Sequence, residues 1–235
     1  MTTTILFDLD GTLLPMDQET FVKAYFDGLA RKAVPHGYEP KQLINIIWAG
    51  TAAMTQNNGD CTNEEVFWSR FARAFGEESL ADRALFDSFY EKEFHEVQKV
   101  CGYNPAVPAL IHDLQGAGIR LVLATNPIFP RVATYARIRW AGLAPEDFSF
   151  ITTYENSRRC KPNPAYYSDL LSMLSLDPAA CIMVGNDVDE DMVAETLGMR
   201  VFLLTDCLIN SSGADIARYP HGDVAALRAY LQTQL

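Results

Sequence analysis

Cysteine is scarce in this sequence and shows none of the spacings that bind metal or build a disulfide framework. The 235 residues contain five cysteines, an odd number, and no Cys-x-x-Cys pair occurs among them. The four histidines are scattered without ligand spacing. A zinc site and a disulfide-stapled fold are therefore disfavoured, and the pattern suits reduced thiols in the cytoplasm. The cysteines are Cys61, Cys101, Cys160, Cys181 and Cys207.

Positive charge and long apolar runs are also lacking. Lys and Arg number 19 against 30 Asp and Glu, which gives a formal net charge of −11. An acidic surface disfavours nucleic acid and anionic membranes as partners. No apolar run approaches the length of a membrane span, and the N-terminal stretch has no basic segment of the kind that precedes a secretory signal. We therefore expect a cytoplasmic protein.

The residues that are abundant form two patterns along the chain. Hydrophobic residues make up 49% of the sequence, and from about residue 104 they fall into short runs separated by amphipathic segments. The runs do not alternate strictly, which is typical of strands buried on both faces of a parallel sheet. Between them lie helix signals such as Asn163-Pro164, an N-cap and first-turn pair. This rhythm predicts an α/β fold with right-handed crossovers and strands at residues 5–7, 119–124, 148–152, 181–184 and 200–204.

The stretch from about residue 16 to residue 100 contains no convincing strand. Apolar positions recur at helical spacing over residues 19–33, 40–53, 63–75 and 79–100. Phe67, Phe71 and Phe75 follow one another every four residues, which indicates helix packing rather than a binding box. We therefore expect a four-helix module, residues 16–102, inserted into an α/β domain made of residues 1–15 and 103–235.

Polar side chains follow the ends of several predicted strands. Ligands bind at the carboxyl ends of the strands in an open α/β sheet, so these side chains are expected to meet at one edge. An Asp-Gly turn closing a hairpin is the alternative explanation of Asp10 and Gly11, but a long helical stretch follows instead of a pairing strand. The converging residues are Asp8, Asp10, Thr125, Asn126, Lys161, Asn186, Asp187, Asp189, Glu190 and Asp191.

Several carboxylates at one edge repel one another unless a cation joins them. Oxygen ligands without His or Cys indicate Mg²⁺. Calcium is the alternative, since residues 187–191 read D-x-D-x-D, as an EF-hand loop begins. However, Met192 stands where the loop needs glycine, and Leu197 stands where it needs the bidentate glutamate.

These groups are suited to phosphoryl transfer. With Mg²⁺ present, an aspartate can attack phosphorus and form an aspartyl-phosphate, while a second carboxylate protonates the leaving oxygen and later deprotonates water. Lys161 and Thr125 would hold the phosphoryl oxygens and offset their charge.

At this point the sequence resembles the haloacid dehalogenase (HAD) superfamily, of the type with a helical cap inserted between the first two motifs. The matching stretches are FDLDGTL, LATNP, RRCKPNPAYY and, more loosely, VGNDVDEDM. The resemblance implies a Rossmann-like doubly wound parallel sheet with an inserted helical-bundle cap. It also implies that Asp8 is the nucleophile, that Asp10 is the general acid/base and gives the metal a backbone carbonyl, and that Thr125 and Lys161 bind phosphate. Asn126 is a further candidate for donating a hydrogen bond to the phosphate.

The fourth motif departs from the family pattern, which has Gly-Asp and a second Asp four or five residues later. Here Asn186 follows Gly185, and Asp187 comes next. Asp187 is preferred as the metal ligand because it is anionic, with Asn186 as the contender. Asp191 is expected to contact and orient the metal ligands without binding the metal itself.

The expected function is that of a Mg²⁺-dependent phosphatase acting on a small phosphorylated metabolite, as a monomer or homodimer. A phosphomutase and a haloacid dehalogenase on the same scaffold are the alternatives, since fold does not fix function. Asp10 favours the phosphatase, because a leaving halide needs no acid and the dehalogenases of this superfamily typically lack an aspartate there.

Overall fold

The computed structural model describes residues 4–234, and a six-stranded parallel sheet lies at its centre. The strand order is β3-β2-β1-β4-β5-β6, so that the first strand is central. Every neighbouring pair is parallel. The strands are β1 (Thr4–Phe7), β2 (Arg120–Leu123), β3 (Phe150–Ile151), β4 (Cys181–Gly185), β5 (Arg200–Leu204) and β6 (His221–Gly222).

Helices cover both faces of this sheet, which confirms the predicted doubly wound α/β fold. They are α5 (Ala106–Gly116), α6 (Arg131–Trp140), α7 (Pro164–Leu174) and α8 (Val224–Gln234). Ile5 and Phe7 face the side covered by α5, α6 and α8, whereas Leu6 faces α7 and the 3₁₀ turn Met192–Leu197. Because successive strand residues point to opposite faces, β1 is buried on both, and its short apolar run has no polar alternation.

Two sheet predictions need correction. The third strand is only Phe150–Ile151, because Pro145–Asp147 forms a 3₁₀ turn and pairing with β2 begins at Phe150. The short edge strand β6 was not predicted. It adds only two residues beside Leu203 and Leu204 of β5, too few to produce a sequence pattern.

The stretch between β1 and β2 is helical, as predicted. It contains α1 (Gln18–Ala33), α2 (Pro40–Thr55), α3 (Asn63–Phe75) and α4 (Arg83–Glu91), with 3₁₀ turns at Val34–His36, Glu77–Asp82 and Glu93–Val100. The single helix predicted over residues 79–100 is wrong. The helical backbone is interrupted at Lys92, with φ −122° and ψ −78°, and 3₁₀ turns flank α4 on both sides.

Aromatic side chains hold these helices together and join them to the sheet. Phe71 is fully buried. Its ring is tilted against that of Phe75, with centroids 4.8 Å apart, and meets that of Phe86 edge to face, with centroids 5.3 Å apart. Phe94 packs on Trp140 of α6 at 4.9 Å. Among residues 4–234, no helix is long and apolar enough to cross a bilayer.

Candidate active site

The carboxyl ends of β1, β2 and β4 lie level with one another. Phe7 pairs with Leu123 on one side and with Val184 on the other. The Asp8 N–H donates to Val184 O at 2.9 Å, and the Ala124 N–H donates to Phe7 O at 2.7 Å. The residues that follow these strands therefore meet at one edge, as the sequence predicted.

Lys161 joins two of these carboxylates beneath the edge. Its Nζ lies 2.8 Å from Asp8 Oδ1 and 2.6 Å from Asp191 Oδ1, and its side chain is fully buried. Burial alone would lower the pKa of Lys161, but the carboxylates of Asp191 and Asp8 raise it well above its usual range. A buried charge persists only when it is paired, so Lys161 is a fixed cation that holds Asp8 in place.

Gly185 leaves the space that Asp191 occupies. A Cβ added at Gly185 would lie 2.0 Å from Asp191 Oδ2. That oxygen accepts the Asp187 N–H at 3.0 Å, while Oδ1 accepts from Lys161. Burial raises the pKa of Asp191 to about 6 against the lowering effect of Lys161. Asp191 therefore supports both the lysine and the loop that follows β4.

Asp10 has a cationic partner that sequence reasoning missed. Arg137 Nη1 on α6 contacts Asp10 Oδ2, and the arginine side chain is 1% exposed. The guanidinium lies 4.4 Å from the centre of the Phe129 ring. Burial raises the pKa of Asp10, with Arg137 opposing the shift. Arg137 is 127 positions away in sequence, and it stands in a helix that was not predicted, so no local pattern marks it.

Asn186 and Asp187 face different surroundings. Asn186 Oδ1 accepts from Thr12 Oγ1 at 2.8 Å, and its Nδ2 donates to Cys207 O at 2.7 Å. The Asn186 amide also lies against the turn after Asp10, since a Cβ on Gly11 would be 2.3 Å from Nδ2. Asp187 Oδ1 instead accepts the N–H groups of the two residues that start the next turn, 189 and 190, at 2.8 and 2.9 Å.

Thr125 and Asn126 follow β2 at the same edge of the sheet. The Thr125 carbonyl accepts from the hydroxyls of Thr152 and Tyr166 at 2.7 and 3.0 Å, which fixes the backbone there. Asn126 Nδ2 donates to both carboxylate oxygens of Glu190 at 3.0 and 3.1 Å. Burial, above all, raises the pKa of Glu190 to about 7.

The side chains at this edge bear on the expected Mg²⁺ site. Between residues 4 and 234, no three His, Cys, Asp or Glu side chains are grouped so as to hold a metal ion. A site made from the carboxylates of Asp8, Asp10 and Asp187 is therefore not assembled, because Arg137 holds one oxygen of Asp10 and the Asp187 carboxylate accepts from its own loop.

Oxygen donors for a hard cation are nevertheless present. Asp10 Oδ1 is buried and finds no hydrogen-bond partner in the part of the chain that the structure describes. Lys161 bonds one of the two Asp8 oxygens. Since Asp187, Glu190 and Asp191 lie at the same edge, the carboxylates outnumber the two buried cations that contact them. This charge balance and these oxygen donors fit Mg²⁺.

These residues form the floor of a cavity of about 230 Å³. The lining includes Asp8, Asp10, Thr125, Asn126, Asn186, Asp187 and Asp191 from the sheet edge. Its walls come from α1 to α4 and from the segment 128–130. Trp48 and Gln18 line it as well, as do Phe67 and Phe86, so some of the aromatics that pack the helices also face the cavity.

Comparison with known proteins identifies the family of this arrangement. The model of the hydrolases described as haloacid dehalogenase-like matches residues 2–194. Phosphoglycolate phosphatase of Vibrio vulnificus strain CMCP6 is 27% identical over 206 residues, which cover 86% of this chain and 82% of that protein. Hexitol phosphatase A of Escherichia coli K12 is 31% identical over 180 residues, 76% of this chain and 72% of that protein. The crystal structure of 2-haloacid dehalogenase from Pseudomonas syringae pv. Tomato DC3000 superposes with a TM-score of 0.63 at 22% identity, covering 100% of both chains.

Proposed function

The chain belongs to the haloacid dehalogenase-like hydrolases, and from this premise we propose that it is a Mg²⁺-dependent phosphatase of small phosphate monoesters. One observation carries the proposal. Asp8 and Asp10 both lie at the floor of the cavity, and each has its own buried cation, Lys161 or Arg137. Two carboxylates that contact different cations can supply a nucleophile and a proton carrier, which ester hydrolysis requires.

Asp8 attacks the phosphorus through a carboxylate oxygen and forms the aspartyl-phosphate. The bond between phosphorus and the alcohol oxygen breaks, and Asp10 gives its proton to that oxygen. Asp10 then takes a proton from water, and the water oxygen attacks the same phosphorus. This step releases inorganic phosphate and restores the Asp8 carboxylate. The proton count closes over the cycle, because Asp10 recovers from water the proton that it gave to the alcohol.

Lys161, Thr125 and Asn126 position the reacting groups. Lys161 keeps Asp8 oriented and offsets negative charge at the floor. Thr125 follows β2 on a backbone fixed by Thr152 and Tyr166, so its hydroxyl serves as a donor to a phosphoryl oxygen. The amide of Asn126 serves as a second donor: its hydrogen bonds to Glu190 are replaced by a hydrogen bond to the phosphoryl group when substrate binds.

Bound Mg²⁺ would neutralise charge on the phosphoryl oxygens. We assign its ligands to the Asp8 carboxylate, the Asp10 backbone carbonyl and the side-chain oxygen of Asn186. The contact of Asn186 with the turn at Gly11 supports Asn186 over Asp187, the residue preferred from charge alone. Thermal unfolding with increasing Mg²⁺ tests this assignment. The rise in Tm should disappear in Asn186→Ala and persist in Asp187→Ala, and the reverse result would restore Asp187.

The helical stretch 16–102 is proposed to act as a cap on the domain formed by residues 1–15 and 103–235. The cavity between them supports this division, since its floor comes from the sheet edge and its walls come largely from α1 to α4. A cytoplasmic location is proposed as well, and the free state of all five cysteines supports it.

Release of phosphate from p-nitrophenyl phosphate, with Mg²⁺ and with EDTA, tests the activity. Asp8→Asn should abolish turnover, whereas Asp206→Asn, an exposed aspartate after β5, should leave it intact. Chloride release from 2-chloropropionate is the parallel assay for a dehalogenase. A wild-type enzyme that releases chloride, or that hydrolyses none of a broad panel of phosphate esters, would contradict the proposal.

A further inference from the structure

The walls of the cavity are aromatic. Six of the rings that face it are Tyr25, Trp48, Trp68, Phe86, Tyr90 and Tyr154. Aromatic rings offer large apolar contact areas, with polar atoms only at their tips. The chemistry of the wall therefore depends on whether those tips point to a ligand or to each other.

Four of the five polar tips are paired with each other, and the Trp48 indole is the exception. The hydroxyls of Tyr25 and Tyr90 lie 2.9 Å apart, and Trp68 Nε1 donates to the Tyr154 hydroxyl at 3.4 Å. Burial, first of all, raises the pKa of Tyr25 to about 12, so its hydroxyl stays neutral. Beyond Gln18, Thr51 and the Trp48 indole, a polyol would find few donors and acceptors on this wall, and most of its own hydroxyls would lose their hydrogen bonds to water on entering.

The lining carries no positive charge that a second anion would need. Among the described residues that line the cavity there is no Lys, Arg or His. Lys161 and Arg137 lie beneath the floor and bond to Asp8, Asp191 and Asp10.

The other charged groups near the wall have the wrong sign or are already paired. Arg83 lies over Trp68 at 4.8 Å and pairs with Glu64 at 3.3 Å. The charge that the helices themselves contribute to the lining is the carboxylate of Asp87. A substrate with a carboxylate or a second phosphate in its alcohol part would therefore place that anion, unpaired, among rings and beside Asp87, which is costly.

The size of the cavity limits the alcohol further. A dry apolar cavity of roughly 150 Å³ accommodates benzene. The observed cavity of about 230 Å³ thus has room for one ring beside a phosphoryl group at the floor.

Three observations bear on the substrate: the paired polar tips of the rings, the lack of Lys, Arg or His in the described lining, and the volume of the cavity. From these we infer that the substrate is a phosphate monoester whose alcohol part is uncharged, apolar and about the size of one ring. This inference rests on the proposed phosphatase function. It differs from the chemistry that the relatives' names indicate, because glycolate is an anion and hexitols are polyols.

The test compares kcat/KM of the Mg²⁺-loaded enzyme for benzyl phosphate, phosphoglycolate and a hexitol phosphate. Burying a ring is worth roughly 1.5–3 kcal/mol, so benzyl phosphate should be preferred by about 10-fold or more. Benzylphosphonate should likewise inhibit more strongly than phosphonoacetate. Neither phosphonate has a leaving group, so this comparison reports binding alone. An enzyme inactive on every ester, p-nitrophenyl phosphate included, contradicts the proposed function. An active enzyme that prefers phosphoglycolate or the hexitol phosphate contradicts only this inference.

An organic cation is the other occupant that an aromatic wall accommodates. Choline phosphate and 3,3-dimethylbutyl phosphate have the same shape and differ in one charge. The neutral ester should be hydrolysed with kcat/KM equal to or higher than that of choline phosphate. A preference of about 10-fold for choline phosphate would overturn the inference.

Variants of Trp48 test the inference through the ratio of kcat/KM for two substrates, which a loss of stability alone does not change. Trp48 is 50% exposed, so the fold tolerates its replacement. Trp48→Ala should lower kcat/KM for benzyl phosphate several-fold, and Trp48→Arg should shift the benzyl phosphate to phosphoglycolate ratio toward phosphoglycolate by about 10-fold. Tyr103→Ala removes an exposed aromatic that does not line the cavity and should leave the ratio unchanged. Ratios that do not move in either Trp48 variant would contradict the inference.

Discussion

Arg137→Met should destabilise the protein strongly, because it leaves the largely buried Asp10 carboxylate without its cation. The arginine side chain is 1% exposed and the Asp10 side chain 21%. Arg137 also donates through Nε to Ala133 O at 3.4 Å and through Nη2 to Thr134 Oγ1 at 3.4 Å. Methionine keeps much of the apolar volume against Phe129 but provides no donor.

Removing one partner of a buried pair costs roughly 3–5 kcal/mol. For a domain of this length, 1 kcal/mol corresponds to about 2–4 °C in Tm, so Arg137→Met should lower Tm by roughly 6–20 °C. Arg139→Met is the matched control, because Arg139 is an exposed residue of the same helix. Surface substitutions of that kind stay within about 0.5 kcal/mol. Calorimetry of both variants in EDTA is the measurement.

A double-mutant cycle shows whether the effect belongs to the pair. Asp10→Asn removes the charge that Arg137 neutralises, so the double variant should be more stable than the sum of the two single losses by roughly 0.5–3 kcal/mol. If Arg137→Met melts within about 2 °C of Arg139→Met, or if the two single losses simply add, the reasoning on Arg137 is refuted.

Three further predictions concern the floor of the cavity. Gly185→Ala should displace Asp191 and lower kcat roughly 100-fold, whereas Gly116→Ala, with no atom within 4 Å of its added Cβ, should be silent in the same assay; equal kcat values would contradict the role of Asp191. The pKa of Glu190 is raised from 4.5 to about 7, so its stabilisation is complete below pH 4.5 and is lost as the pH rises through 7. Glu190→Gln should therefore raise Tm in EDTA at pH 8 but not at pH 4.5, with a gain in the free energy of unfolding of at most about 3 kcal/mol at about 1.36 kcal/mol per pKa unit. Exposed Glu146→Gln should show no such difference. Thr125→Val should weaken competitive inhibition by inorganic phosphate about 10-fold, since a hydrogen bond to a charged group is worth roughly 1.5–3 kcal/mol; unchanged inhibition, as expected for Thr205→Val after β5, would remove Thr125 from the phosphate site.

The strands that the sequence predicted well are those in the middle of the sheet. β1 and β4 are buried along their whole length, so both faces select apolar residues and the run itself marks the strand. β3 and β6 lie at the two edges, where pairing extends over only two residues. Tertiary hydrogen bonding sets the length of those strands, and no local pattern records it.

The candidate site divides in the same way. Asp8, Asp10 and Thr125 stand in short motifs beside strand ends, so the rule that parallel strands present their carboxyl ends together was enough to place them at one edge. Lys161 lies instead between β3 and α7, and its motif was the signal for it. Arg137 was missed because its partner lies far away in sequence, and because an arginine in an amphipathic helix usually faces solvent. The fourth motif was ambiguous because charge favoured Asp187 while packing against Gly11 favours Asn186, and packing is visible only in three dimensions.

The different partners of Asp8 and Asp10 bear on why two carboxylates so close in sequence can do different work. Lys161 is shared between Asp8 and Asp191, so one Asp8 oxygen is fixed and the other has no contact with the lysine. Arg137 likewise holds one oxygen of Asp10, but burial outweighs the arginine and the pKa of Asp10 is raised. A carboxyl group that binds a proton more readily than usual is suited to protonate a leaving alcohol. Exchanging the two roles would require moving both buried cations. The surroundings of each residue therefore support the proposal that Asp8 is the nucleophile and Asp10 the acid/base.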